Sequence, residues 1–341
     1  MTMKNRPHPR PAHPRRNAAI VGTGAYLPER VLTNAELEKM VDTTNDWIIS
    51  RTGISERRIA AADEFTSDMG AAAARVAIAK AGISPTDIDL VILATSTPDT
   101  IFPSAACRIQ HMIGATRAAA FDLQAACSGF LYGMIIAEQF IASHAHETVL
   151  VIGSEKLSSI VNWEDRNTCV LFGDGAGAAI IQAAPEGKRG LLATDMGSDG
   201  AQTDILHMPA GGCRMPITPE VLAQKKNSIH MSGKEVYRYA VGAMNASAER
   251  SLQLSGLTAA DLQWVIPHQA NLRIISSVTE RLGVDMDRVI LNLERYGNTS
   301  AACIPIALHE SSESGKIKSG DNLLLVAFGG GLTWASAVLE W

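Results

Sequence analysis

Continuous apolar runs at residues 18–27, 90–94, 119–123, 147–154, 191–196, 263–267, 289–293, 322–328 and 335–339 predict short buried strands. Between them, apolar residues return at three- and four-residue spacing. That period predicts helices over 66–81, 104–113, 232–254, 272–282 and 300–312, and another from Ser128, carried by Phe130, Leu131, Met134, Ile135 and Phe140. A short helix over 34–41 has Asn34 as its expected N-cap; the helix over 66–81 is capped by Thr66 or Ser67 and ended by Gly82. Residues 165–184 read as a strand, a Gly-rich turn and a further strand. Residues 197–227 are irregular and bear Gly and Pro; a loop of that length is expected to form a pocket wall. Strands alternating with amphipathic helices define an α/β protein.

The pattern occurs twice. Runs at 91–94, 121–124, 149–153 and 173–181 are matched in order by 264–267, 289–293, 323–329 and 329–339. Such a repeat predicts two similar halves, 18–188 and 189–341, related by a pseudo-twofold, with reactive groups at equivalent strand ends near their junction. Residues 1–17, rich in Pro, Arg and His, lack the apolar core of a secretory signal and read as a flexible basic tail.

Composition narrows the partners. The 341 residues are 46% hydrophobic, ample for a large core, and the net charge of −5 gives no general attraction to nucleic acid. No apolar run reaches the roughly 18 residues needed to span a membrane. The five cysteines are odd in number, lack CxxC spacing and form no metal-ligand cluster with histidine, which fits a reducing cytoplasm and no bound metal.

Cys127 lies where the 119–123 run gives way to a helix. Unpaired backbone N–H groups and the positive helix terminus there favour a thiolate, and Ala125, Ala126, Ser128 and Gly129 leave room for a carbonyl group to approach. The competing reading is a small buried hydrophobe. His268 follows the 264–267 run within PHQAN, and Asn298 precedes a helix within ERYGNTSAA; each alone is an ordinary structural residue. Together, at equivalent ends of a repeat whose other half presents a cysteine, the three can carry out acyl transfer. Bare N–H groups in Phe328-Gly329-Gly330-Gly331 supply an oxyanion hole. Trp47 and Arg51, four residues apart, share a helix face and read either as a surface anchor or as a stacking site for an adenine nucleotide. GDGAG at 173–177 lacks the Lys-Ser/Thr of a phosphate loop and reads as tight strand packing. Cys107, Cys169 and Cys303 read as core, Cys213 as a loop residue.

Five segments, TTNDWIISRTGISERR, FPSAACRIQ, DLQAACSGFLYGM, IPHQANLRI with RYGNTSAA, and AFGGGLTW, resemble β-ketoacyl-acyl-carrier-protein synthase III, the initiating condensing enzyme of type II fatty-acid synthesis. The resemblance runs from about residue 18 to the last residue. It implies the thiolase fold, layered α-β-α-β-α, and a homodimer. It implies that Cys127 takes an acetyl group from acetyl-CoA and that His268 and Asn298 bind the malonyl thioester oxygen during decarboxylation. The oxyanion of the condensation step would be held by the N–H groups of Cys127 and Gly330. Trp47 and Arg51 would clamp the CoA adenine, Thr43, Arg166, Gly233 and Tyr237 would line its channel, and Asn271 would contact pantetheine. Arg273, helped by Lys234 or Arg238, would contact acyl carrier protein. Phe328 would border the acyl pocket, and Phe102 would enter that of the partner subunit. Tyr237 is read in place of a phenylalanine, and Glu280 in place of a basic residue, which would weaken docking of the carrier protein. The CoA thioester and malonyl-carrier protein are substrates, and no cofactor is implied.

Three other readings compete. The same fold could serve a secondary-metabolite pathway. A papain-type hydrolase shares the order Cys, His, Asn but lacks the CGSCW context and the α/β repeat. A non-catalytic CoA-binding scaffold would not need all three reactive residues.

Overall fold

The paired apolar runs assemble into two sheets that enclose two central helices. A computed structural model describes residues 16–341. Its strands are β1 (Ala18–Tyr26), β2 (Arg30–Thr33), β3 (Glu56–Ile59), β4 (Leu90–Ala94), β5 (Ala119–Leu123), β6 (Thr148–Glu155), β7 (Gly175–Ala183), β8 (Leu191–Ser198), β9 (Leu206–His207), β10 (His230–Met231), β11 (Trp264–Pro267), β12 (Asn322–Gly329) and β13 (Thr333–Glu340). The helices are α1 (Asn34–Leu37), α2 (Asn45–Thr52), α3 (Thr66–Ala81), α4 (Ala105–Ile113), α5 (Gly129–Ala142), α6 (Pro219–Ala223), α7 (Gly233–Ser255), α8 (Leu272–Leu282), α9 (Leu293–Tyr296) and α10 (Cys303–Glu313).

The first sheet has the order β1-β7-β6-β4-β5, with β4 parallel to both neighbours and β7 and β1 antiparallel. The second has the order β11-β12-β13-β8, so β8, β11, β12 and β13 stand where β1, β4, β6 and β7 stand in the first. Helices α3 and α4 cover one outer face, α5 and α10 fill the space between the sheets, and α7 and α8 cover the other outer face. The expected five layers and the repeat are both present. The counterpart of β5 is reduced: residues 289–293, expected as a strand, make a single bridge from Val289 to Val265. The Gln269 side chain takes over the ladder there, accepting from the N–H groups of Asn292 (3.1 Å) and Leu293 (3.2 Å) and donating to the Ile290 carbonyl (3.2 Å).

Other expectations are corrected. Residues 165–172 form turns closed by the Asp165 carbonyl, not a strand. Helix α1 is shorter than expected and is capped by Thr33, whose capping box with Glu36 displaces Asn34 as the cap. Phe65, not Thr66 or Ser67, holds the N-cap position of α3. Cys107 is exposed, whereas Cys169 and Cys303 are buried as expected. GDGAG is strand packing: a Cβ at Gly177 would lie 2.7 Å from the Ile306 nitrogen of the central helix. Of the expected basic tail, residues 1–15 lie outside the described residues. Its last two residues are tied down, Arg16 to Glu147 (2.7 Å) and the Asn17 amide to the Arg189 carbonyl (3.1 Å).

Arg57 of β3 is fully buried and donates to the carbonyls of Leu32 (3.2 Å) and Val170 (2.7 Å) and to Asn34 Oδ1 (2.8 Å). It joins the antiparallel β2–β3 pair to the turns behind the site. Replacing it with Ala strands three buried acceptors and opens a cavity, so Arg57→Ala is expected to lower unfolding stability by about 3 kcal/mol or more. An unchanged urea midpoint would count against this role.

Candidate active site

Strand β5 leads through a tight turn, Ala126–Ser128, into α5, and Cys127 sits in that turn. Its repeat counterpart is the turn Ser300–Ala302 ahead of α10. Both turns open on a residue with positive φ, Ala126 at 45° and Ser300 at 50°, so the same left-handed kink aims each turn inward. Ala301 occupies the place equivalent to Cys127. The backbones approach closely here: a Cβ at Gly153 of β6 would lie 2.2 Å from the Ala301 carbonyl oxygen, and one at Gly329 of β12 would lie 2.6 Å from the Cys127 nitrogen. Only glycine lets both strand ends press against the two turns.

His268 follows β11, its N–H donating to the Val326 carbonyl (2.8 Å). Its ring Nδ1 lies 2.9 Å from the sulfur of Cys303, the first residue of α10. Burial holds the Cys303 thiol protonated, so its S–H donates to Nδ1 and the imidazole proton belongs on Nε2. Asn298 is fixed by its backbone to Leu171 and Gly173, and its Oδ1 accepts from the Ser300 N–H (2.9 Å). Its NH₂ therefore remains available as a donor.

Cys127, His268, Asn298 and Phe328 meet in one cavity of about 810 Å³, a size suited to a large ligand. His268 and Asn298 are buried at 3% and 6% exposure, and Cys127 is partly open to the cavity. The outer part is edged by the exposed side chains of Arg51, Arg166, Lys234 and Arg273. No carboxylate lines it among the described residues. On a chain of net charge −5, four cations against one neighbouring acid, Asp42 at 3.6 Å from Arg166, mark an anion-binding entrance.

Trp47, Gly233, Tyr237 and Asn271 also line this cavity. Arg166, rather than Arg51, lies over the Trp47 ring, at 5.2 Å. Asn271 caps α8 through the Arg273 N–H (2.9 Å) and ties it to α2 by donating to the Arg51 carbonyl (3.0 Å). Tyr237 Oη meets Ser277 Oγ at 2.7 Å. Thr43, Arg238, Gly330 and Phe102 do not border the cavity. Arg238 stacks on Tyr239, Gly330 lies against Leu206, and Phe102 is 85% exposed on an outer loop beside Ile101.

The expected thiolate is corrected. Burial pushes the Cys127 thiol up to about 12, so the thiol rather than the thiolate is favoured. The helix terminus is worth at most about 2 kcal/mol and does not offset desolvation. Burial also pushes His268 down to about 3, so the ring is a neutral hydrogen-bond donor and a poor proton acceptor. The sequence reading missed Cys303, which was read as core, as the partner of the His268 ring.

A duplicated five-layered fold with a half-buried cysteine and a buried imidazole and carboxamide at its junction defines a condensing acyltransferase of the thiolase type. Residues 121–200 match the family model for 3-oxoacyl-[acyl-carrier-protein] synthase III, and residues 252–341 match that of its C-terminal part. β-Ketoacyl-[acyl-carrier-protein] synthase III of Roseiflexus castenholzii is 53% identical over 95% of this chain and 98% of its own. The crystal structure of the synthase III of Aquifex aeolicus is 47% identical, superposes with a TM-score of 0.88 and covers 95% of this chain and 100% of its own. The priming β-ketosynthase of the R1128 polyketide pathway is 36% identical, with a TM-score of 0.90 over 98% of each chain. The chain belongs to the β-ketoacyl-[acyl-carrier-protein] synthase III family.

Proposed function

We propose that this enzyme condenses acetyl-CoA, or another short acyl-CoA, with malonyl-acyl carrier protein to give 3-oxoacyl-carrier protein, CoA and CO₂, starting fatty-acid synthesis through an acyl-Cys127 intermediate. The observation that carries this reading is the cavity, with Cys127, His268 and Asn298 inside and four cations lining its entrance. Those cations suit the phosphates of CoA and of the carrier-protein arm. Cys127 attacks the thioester and expels CoA, exchanging one thioester for another. Malonyl decarboxylation then places negative charge on its thioester oxygen. His268 Nε2–H and the Asn298 NH₂ donate to that oxygen as the charge develops. CO₂ leaves, so no side chain has to abstract a proton from carbon. The resulting enolate attacks acyl-Cys127; the oxyanion hole is proposed to be the N–H of Cys127 with that of Gly330, which lies outside the cavity lining but next in the chain to Gly329, whose backbone abuts the Cys127 nitrogen.

Thr43, Trp47, Arg51, Arg166, Gly233, Tyr237 and Asn271 are proposed for CoA, and Arg273, Lys234 and Arg238 for acyl carrier protein. The proposed arrangement is two halves, 18–188 and 189–341, in a cytoplasmic homodimer. There the exposed Phe102 reaches the partner's acyl pocket, which Phe328 also borders. No described helix is long and apolar enough to cross a membrane. The test is to add labelled acetyl-CoA, locate label on Cys127 by mass spectrometry, and then supply malonyl-carrier protein. Labelled acetoacetyl-carrier protein supports the reading, and absence of label on Cys127 defeats it. Trp47→Ala is expected to raise KM for acetyl-CoA about tenfold with little change in kcat, because adenine stacking is remote from the reacting bonds. Initial rates measure this split, and an unchanged KM removes Trp47 from the CoA site.

The likeness to a priming polyketide ketosynthase favours a second reading, the same chemistry in a secondary-metabolite pathway. A panel of acyl-CoA primers separates the two by chain length and branching.

A further inference from the structure

Thr333 opens β13 and stands in register between Gly329, the last residue of β12, and Ser198, the last residue of β8. A residue held by strands on both sides is a rigid support. Its hydroxyl reaches into the first half. Oγ1 donates to the Ala125 carbonyl (2.9 Å) and lies 3.3 Å from the Gly330 carbonyl. In return, Ser128 Oγ donates to the Thr333 carbonyl (3.2 Å). Ala125 and Ser128 bracket the turn that holds Cys127, and the Ser128 N–H closes that turn on the same Ala125 carbonyl (3.1 Å). One residue of the second half therefore grips both ends of the turn and touches the Gly-rich loop beside it. Ala126, inside the turn, has the left-handed φ of 45°. Such a kink persists at a residue with a Cβ only where its surroundings enforce it.

We propose that Thr333 is a positioning residue that sets the spacing of the two oxyanion donors, the N–H groups of Cys127 and Gly330. This role rests on the oxyanion-hole reading above. Two donors fix the direction of the Ala125 carbonyl and with it the peptide plane that leads into Ala126. The kink at Ala126 then aims the next N–H, that of Cys127. The Gly330 carbonyl lies against the same Thr333 hydroxyl, next in the chain to Gly329, where a Cβ would lie 2.6 Å from the Cys127 nitrogen. The two donor-bearing segments are thus indexed to one side-chain oxygen. Oxyanion donors work at about 3 Å from the developing charge, and a misplacement of about 1 Å costs about 10²-fold in rate. Thr333 does not line the cavity, so it acts through the backbone it holds.

Two reactions of one sulfur separate this role from a merely structural one. Alkylation by iodoacetamide and acyl loading from acetyl-CoA both need the Cys127 thiol. Only loading passes through a tetrahedral centre that carries an oxyanion. Loss of the Thr333 hydroxyl misaligns the donors, so loading slows while alkylation does not. A turn loosened as a whole would move the sulfur as well and slow both reactions together.

Thr333→Val replaces the hydroxyl with a methyl of similar size, and Thr333→Ser keeps the hydroxyl. In the full chain, single-turnover loading is followed over a range of labelled acetyl-CoA concentrations. Alkylation is read at the Cys127 peptide by mass spectrometry, so that the exposed Cys107 and Cys213 are counted apart. Thr333→Val is expected to lower the saturating loading rate about 10²-fold, with the half-saturating concentration and the alkylation rate little changed. Thr333→Ser is expected to restore most of the loading rate. If circular dichroism shows Thr333→Val to be unfolded, Thr333→Ala decides the matter, because it removes the hydroxyl without setting a methyl against the Ala125 carbonyl. Wild-type loading in a folded variant that lacks the hydroxyl, an equal fall in loading and alkylation, or a Thr333→Ser no faster than Thr333→Val overturns the positioning role, while a labelled wild type upholds the function. A wild type that takes no acyl group from acetyl-CoA overturns both.

Discussion

Cys127→Ser is expected to abolish acyl loading, with a loss of roughly 10⁴-fold or more, the scale on which a covalent nucleophile matters. A serine hydroxyl in the same dry turn is still harder to ionise than the thiol, and its ester would not match the energy of the incoming thioester. The substitution is nearly isosteric and leaves the turn Ala126–Ser128 and the Gly329 contact unchanged, so folding is expected to persist. Mass spectrometry after incubation with labelled acetyl-CoA reads the outcome. Wild-type label on the variant, or label on another cysteine in the native chain, would remove Cys127 from the chemistry.

His268→Ala and Asn298→Ala are expected to divide the reaction differently. Each removes one donor from the malonyl oxygen in a water-poor cavity, costing about 3–4 kcal/mol of transition-state stabilisation, or roughly 10²–10³-fold in decarboxylation. Loading from acetyl-CoA is expected to survive in both, because the charge these two donors are proposed to hold develops only when malonyl decarboxylates. Release of ¹⁴CO₂ from labelled malonyl-carrier protein and label on Cys127 report the two steps separately. Loss of loading equal to that in Cys127→Ser would refute this division. Burial keeps the His268 ring neutral well below its ordinary range, so its donor role is expected to persist unchanged from pH 8 down to pH 5. Decarboxylation by pre-acylated enzyme checks this point.

The sequence carried the reactive trio because each member follows an element that is itself legible. Cys127 marks a strand-to-helix junction, His268 ends a β-branched run, and Asn298 precedes the matching helix of the second half. The supporting groups were not legible. Cys303 reads as one more apolar helix position until the fold sets its sulfur 2.9 Å from the His268 ring. The protonation state was misjudged for the same reason. A helix terminus is visible in local sequence, whereas desolvation depends on everything packed around the sulfur. The β2–β3 pair escaped notice because its strands are four residues long, lie two helices apart in the chain and carry charges that obscure the alternation, with Arg57 turned inward.

The repeat has an asymmetry with a functional cost. Ala301 sits in the second half where Cys127 sits in the first, so duplication of the scaffold did not duplicate the reactive groups. The sulfur is anchored in one half, and the imidazole and carboxamide in the other. Neither half holds a spare set. Local melting on either side of the junction is therefore expected to silence the whole molecule.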